Sequence, residues 1–195
     1  MSKTLVLFDF DGTLTKRDTF LQFIFFSQGY LKGLGGFLIF SPFGLLFFLK
    51  IVSGAKLKEK MVSYFFKGMS HDELRTQGKK FIENLNLTSG FNDPIMKSLT
   101  KYKVDGVEVC IVSASLDIWI EPFCKQFDLN HLCTELNFEN GKCRGTFKTP
   151  NCNGVEKAIR IKQKYNLKEY STIIAYGNSG GDRAMFELAT EMVLV

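Results

Sequence analysis

The sequence predicts an α/β fold, a parallel sheet with helices on both faces and a helical unit inserted after the first strand, and three observations lead there. Short apolar runs without alternation recur along the chain, each bounded by turn residues or acids, the pattern of strands buried on both faces. Helical segments alternate with these runs, which requires crossover connections and a parallel sheet. Residues 16–92 differ from the rest, with 11 Lys or Arg against 5 Asp or Glu and 13 of the 20 Phe. They read as a separate helical unit, leaving residues 1–15 and 93–195 as the core.

The elements follow in order. Residues 5–10 form the first expected strand, closed by Asp11-Gly12; residues 107–112 repeat the pattern after Asp105-Gly106. Residues 172–176 give a third strand and residues 192–195 begin a fourth. Asp93 caps a helix with Pro94 in its first position, a second helix covers 116–127, and a third covers 155–165. Asn140-Gly141, between the runs 134–138 and 142–147, is a preferred pair for a tight hairpin turn. In the insert, Ser70-His71-Asp72-Glu73 is a capping box opening a helix to about residue 85, and apolar positions 57, 61, 64 and 65 mark another over 56–67.

Residues 33–49 carry no charge. They predict a helical hairpin packed inside the insert, with a pair of helices on a membrane surface and a bilayer span as the alternatives. Lys50, Lys56, Lys58 and Lys60 follow directly, a basic cluster of the kind that favours anionic lipid head groups.

Composition narrows the chemistry. Hydrophobic content of 45% argues against disorder. Five cysteines, an odd number without a C-x-x-C pair, suggest neither a disulfide framework nor a zinc site and are expected to be reduced and partly buried. His71 and His131 are the only histidines, so a histidine-centred site is poorly supported and the chemistry is sought among carboxylates. The first apolar run is short and ends in acids, unlike a secretory leader. The expected location is the cytoplasm, with peripheral contact at the inner membrane surface through the insert as an option. Nucleic acid is not an expected partner, and the oligomeric state is left open.

Asp9-Phe10-Asp11-Gly12-Thr13 sits at the end of the first strand, on the sheet edge where open α/β folds place ligands. Two carboxylates about 4 Å apart repel by roughly 4 kcal/mol at an intermediate effective dielectric. A divalent cation offsets that cost for one, and protonation turns the other into a general acid. Ser113-Ala114-Ser115 ends the second strand before a helix start, a ready phosphate site; Ser115 and Asp117 read better as helix caps. Lys157 stands in the first turn of a helix, where the dipole disfavours a cation and a nearby anion would explain it. Arg160, Lys162 and Lys164 read as a solvated face. Tyr176-Gly177-Asn178-Ser179-Gly180-Gly181-Asp182 follows the third strand.

The run Asp9-x-Asp11-Gly12-Thr13-Leu14-Thr15 after an apolar strand resembles the first motif of the haloacid dehalogenase superfamily, and the later segments keep its order along nearly the whole chain. The resemblance implies a Rossmann-like core with a type-one helical cap, in the branch (subfamily IB) that includes phosphoserine phosphatase. It implies Asp9 as nucleophile forming an aspartyl-phosphate, Asp11 as general acid and then base, and Ser113 with Ala114 as phosphate contacts. Lys157 is implied as the charge steadying nucleophile and phosphate, and Mg2+ as cofactor on Asp9, the Asp11 carbonyl, Asn178 and Asp182. The family usually has Asp where this chain has Asn178, a change that weakens the metal site. Asp18 matches a position where phosphoserine phosphatases carry an acid for the substrate amine; capping the helix that begins near Thr19 is its other reading. Three functions stay open: a magnesium-dependent phosphatase for a small phosphometabolite, a membrane-associated phospholipid phosphatase of the phosphatidylglycerophosphate kind, and a binding protein with little turnover because of Asn178.

Overall fold

The computed structural model describes residues 3–49 and 53–195, the side chains of residues 45–48 apart. Strand β1 (Lys3–Phe8) is central, and side-chain alternation sorts its residues between two cores. Leu5 and Leu7 enter one core with Cys110, Val112, Ile173 and Ala175, while Val6 and Phe8 enter the other with Val109, Ile111 and Ile174. Burial on both faces is why these strands read as unbroken apolar runs.

After β1 the chain makes a tight turn over Phe10–Leu14 and enters helix α1 (Thr19–Phe48). Helices α2 (Gly54–Phe66) and α3 (His71–Leu87) follow. The chain then rejoins its entry point: Thr15 pairs with Phe91, Lys16 N–H donates to the Gly90 carbonyl, and Asn92 N–H donates to the Leu14 carbonyl. Next come α4 (Asp93–Val104), β2 (Glu108–Leu116), α5 (Asp117–Phe127) and β3 (Asn130–Thr134). The hairpin β4 (Leu136–Glu139) and β5 (Lys142–Phe147) turns at Asn140-Gly141. Helix α6 (Val155–Lys164), β6 (Tyr170–Gly177), α7 (Arg183–Phe186) and β7 (Glu191–Leu194) complete the chain. The main sheet has the order β3-β2-β1-β6-β7, and every pairing in it is parallel.

Several expectations shift. The first strand ends at Phe8 rather than residue 10, because the chain turns at Gly12, whose φ of 73° is open to glycine. Strand β2 runs on to Leu116 through a bulge, its register against β3 jumping between Ser113 and Leu116, and such a bulge re-aims the residues inside it. Strand β3 was not anticipated; it is a short edge strand whose first residues are polar.

The expected hairpin within residues 33–49 is replaced by a break at Gly29 (φ 76°), which divides α1 into limbs 19–28 and 30–48. The limbs approach each other where Gly33 meets the Phe25 ring, and the second limb meets α2 where Gly36 meets the Phe65 ring. On its inner side the insert packs aromatic rings on α5, with Phe23 4.7 Å and Phe81 6.1 Å from Trp119 by ring centroid. There α3 crosses the α5 backbone so closely that a Cβ on Gly78 would lie 1.7 Å from the Ile118 carbonyl oxygen. All five cysteines are unpaired and buried.

Candidate active site

The carboxyl ends of β1, β2 and β6 open into a cavity of about 850 Å³. Asp9, Asp11, Asp18, Ala114, Lys157, Asn178 and Asp182 all line it. Asp9 sits directly past β1, its backbone N–H held by the Tyr176 carbonyl at 2.9 Å. Lys157 reaches it from the first turn of α6 and is fully buried. Its Nζ lies 2.6 Å from Asp9 Oδ1 and 2.6 Å from Asp182 Oδ1, so two anions hold the cation that the helix dipole disfavours. Among the described residues Asp9 Oδ2 has one partner, the Thr13 hydroxyl at 3.2 Å.

Asp11 is held separately. Its Oδ1 accepts from Thr19 N–H at 2.7 Å and the Thr19 hydroxyl at 2.5 Å, and its Oδ2 accepts from the Ser115 hydroxyl at 2.5 Å. Ser115 is therefore a partner of Asp11 rather than a helix cap. Asp117 also departs from the capping role, since its Oδ1 accepts from Leu136 N–H and so anchors β4. Ser113 is fully buried and accepts from Ser115 N–H at 3.0 Å, while Ala114, in the bulge, lines the cavity.

Both acids are raised above the ordinary carboxylate range. Burial pushes Asp9 up to about 6, with Lys157 pulling it down and the charges of Asp182 and Asp11 pushing it further up. Burial also raises Asp11, reinforced by the Asp18 carboxylate and opposed by the hydrogen bonds from Ser115 and Thr19. For Lys157, burial favours the neutral amine, yet Asp9 and Asp182 outweigh it and the pKa rises. The floor of the cavity thus holds an ionised lysine between carboxylates that remain short of positive charge.

The segment after β6 is built around Asp182. Its Oδ2 accepts from Asn178 N–H, Ser179 N–H and the Ser179 hydroxyl at 3.2, 3.0 and 3.0 Å. The Asn178 side chain lies against Gly12, where a Cβ would fall 2.0 Å from Asn178 Nδ2. Among the described residues no three His, Cys, Asp or Glu side chains form a metal-holding group. The oxygen donors available are Asp9, Asn178, Asp182 and backbone carbonyls, a set that suits a hard cation retaining several waters. The negative charge left at Asp9 fits such a cation.

At the rim, Asp18 Oδ1 caps α1 by accepting from Phe20 N–H and Leu21 N–H at 3.0 and 3.2 Å, while its side chain still lines the cavity. Lys58, placed by the sequence reading in a lipid-facing cluster, also lines the cavity: its Nζ donates to the Ala114 carbonyl at 2.7 Å and stands 4.8 Å from the Phe20 ring centroid. Burial lowers its pKa, against the pull of Asp11 and Asp18. Of the rest of that cluster, Lys56 and Lys60 are exposed, and Lys50 lies outside the described residues. Arg160 is no solvated side chain either. It is buried, pairs with Glu156 at 2.8 Å and donates to the Cys133 and Pro150 carbonyls. Sequence reasoning assigned no role in the site to Thr13 or Thr19, which are met only through contacts the fold creates, and none in the cavity to Lys58.

With that geometry in place, the chain can be set beside known proteins. A family model described as haloacid dehalogenase-like hydrolase matches residues 6–187. Protein CicA of Caulobacter vibrioides is 29% identical over 189 residues, covering 96% of this chain and 83% of CicA. A crystal structure of a Bordetella pertussis Tohama I protein of unknown function superposes with a TM-score of 0.86 at 17% identity, covering all of this chain and 90% of the other. A substrate-bound phosphoserine phosphatase complex gives 0.72 at 17% identity, over 100% of this chain and 86% of that one.

Proposed function

The chain belongs to the haloacid dehalogenase-like hydrolases, and from that premise we propose that it is a magnesium-dependent phosphatase for a small phosphate monoester, with Asp9 as its nucleophile. The observation that carries the proposal is the buried Lys157 ammonium 2.6 Å from Asp9 Oδ1, which leaves Oδ2 with a single hydroxyl partner. A doubly anionic ester approaches an ionised carboxylate only where positive charge offsets their repulsion.

In the first step Asp9 Oδ2 attacks phosphorus, the bond to the leaving oxygen breaks, and Asp11 gives its proton to that oxygen. Its raised pKa, set first by burial and then by Asp18, supports a protonated Asp11 at that stage. In the second step Asp11 takes a proton from water as the water attacks phosphorus, releasing phosphate and restoring Asp9. Thr19 and Ser115 fix the direction of the Asp11 carboxyl. Ala114, on the cavity wall, is where a phosphoryl oxygen would be received, while the fully buried Ser113 acts through the backbone position its hydroxyl fixes.

Asp9, the Asp11 carbonyl and the Asn178 amide oxygen are the groups that would hold Mg2+, and the ion supplies charge neutralisation between carboxylate and phosphate. Asp182 would contribute through water, because direct coordination by Oδ2 would displace three hydrogen bonds that shape the loop. The insert, with Lys58 and Asp18 at the rim, acts as the cap that chooses the substrate. Replacing Asp9 by Asn tests the assignment: hydrolysis of para-nitrophenyl phosphate with Mg2+ should vanish while the circular dichroism spectrum and melting curve persist. Full activity in that variant overturns it.

A further inference from the structure

Apart from Lys32, the limb 30–48 of α1 carries no charge, a composition that suits a helix buried on every side. This limb is not so placed. Its inner side carries the close approaches of Gly33 to Phe25 and Gly36 to Phe65, while its outer side stands in solvent. Leu31 is 91% exposed, Tyr30 83% and Leu38 66%, and Leu34, Phe37 and Ile39 are each exposed by half or more. Six large apolar side chains within ten residues form a patch of a kind that soluble monomers seldom leave uncovered.

Charge identifies what covers it. From residue 19 to residue 67 the sequence holds six lysines and one acid, Glu59, and Glu59 is occupied by the Phe147 N–H at 2.9 Å. Lys32 lies on the limb itself, and Lys60 Nζ stands 5.1 Å from the ring centroid of Phe43 on the same limb. An apolar strip edged by lysines that form no salt bridge among the described residues matches the boundary between acyl chains and anionic head groups. It does not match a second copy of itself, because a two-fold contact would set these lysines against one another. The limb also does not match a bilayer span. At about 1.5 Å per residue its 19 residues approach the needed length, but the inner side is already filled by protein.

We propose that the outer face of limb 30–48 docks this protein on the surface of an anionic lipid bilayer, apolar side chains entering the head-group boundary and Lys32, Lys56 and Lys60 meeting the phosphates. The limb ends five residues before Ser53, which lines the cavity, so at most about 18 Å of chain separates the docked helix from the site. This surface stands independently of the catalytic assignment.

Co-sedimentation of the full chain with vesicles tests the inference, using phosphatidylcholine with about one third phosphatidylglycerol, and phosphatidylcholine alone, near 0.15 M salt. The parent should bind the anionic vesicles and bind neutral ones far less. Leu31→Glu with Leu38→Glu should weaken binding by about 100-fold, from the loss of two inserted leucines, with melting temperature and para-nitrophenyl phosphate hydrolysis unchanged. Lys56→Gln with Lys60→Gln should weaken it by about 25-fold, about fivefold per charge. No binding of the parent to anionic vesicles overturns the proposal, as does undiminished binding of the leucine variant. Lipid-free sedimentation equilibrium supplies a further check: a dimer abolished by the leucine substitutions would assign the face to a second copy and overturn docking on lipid.

Discussion

Replacing Lys157 by Met, an unbranched side chain of similar reach, removes the ammonium and little volume. The oxygens it now separates, Asp9 Oδ1 and Asp182 Oδ1, are each 2.6 Å from Nζ and hence at most about 5 Å apart, where two carboxylates repel by about 3 kcal/mol at an effective dielectric of about 20. Removing one partner from a buried ion pair costs about 3–5 kcal/mol, and that is the loss of unfolding free energy expected at pH 8. The dependence on pH separates this cause from a packing defect. In the parent, Asp9 titrates near 6 when folded, above its unfolded value of about 3.9. Its cost to stability is therefore absent below about pH 4, grows as the pH rises, and levels off above 6. Without Lys157 the folded pKa moves higher, so the cost keeps growing by about 1.4 kcal/mol per pH unit after the parent's has levelled. The gap between variant and parent should widen from pH 6 to pH 8. Urea unfolding in EDTA, followed by the fluorescence of the single, buried Trp119, measures it. A gap equal at pH 5 and pH 8, or below about 1 kcal/mol at pH 8, would refute the placement of Lys157 between two ionised acids.

Two further outcomes follow from the site and the packing. Asn178→Asp adds a carboxylate where magnesium is to bind, so calorimetric titration should show tighter Mg2+ binding by about tenfold or more, and unchanged affinity would remove residue 178 from the ligand set. Gly78→Ala places a methyl group 1.7 Å from the Ile118 carbonyl oxygen, which forces α3 away from α5 at a cost of about 2–3 kcal/mol. A lower urea midpoint at unchanged slope is expected, and a shift worth less than about 0.5 kcal/mol would show that the helices adjust freely.

What was legible in the sequence was what local pattern controls. The central strands were visible because burial on both faces forbids alternation, and the hairpin turn because Asn140 and Gly141 both take positive φ. Asp9 and Asp11 were visible from their spacing at a strand end, and Lys157 because its charge contradicted its helix position. Strand β3 was not visible, since Asn130 and His131 open an edge strand as polar residues would open a loop. The partners of Asp11 were hidden for another reason: Ser115 lies 104 residues away, and no local rule encodes that separation. Arg160 shows the limit of periodicity, which counts a guanidinium as solvated and cannot see the two carbonyls that take it inside. The break of α1 at Gly29 is not legible locally, because a lone glycine is tolerated within a helix while Pro42, the stronger breaker, is here accommodated inside one.

The exchange of Asp for Asn at position 178 has two opposed consequences that the cavity's layout makes calculable. Acids lie on the floor at Asp9, Asp11 and Asp182, while Lys16, Arg17 and Lys58 come from the insert at the rim. A phosphate dianion gains from the rim and is repelled by the floor, where the Lys157 ammonium between Asp9 and Asp182 offsets the repulsion. A carboxylate at position 178 would strengthen the hold on Mg2+, yet in the metal-free state it would add a further repulsion of about 4–8 kcal/mol against the doubly charged ester at 4–8 Å and an effective dielectric of about 20. On the proposed assignment the amide would give up metal affinity and lower that barrier. Substrate and Mg2+ would then depend on each other less strictly than with Asp, because a neutral side chain opposes the approach of the dianion less than a carboxylate does.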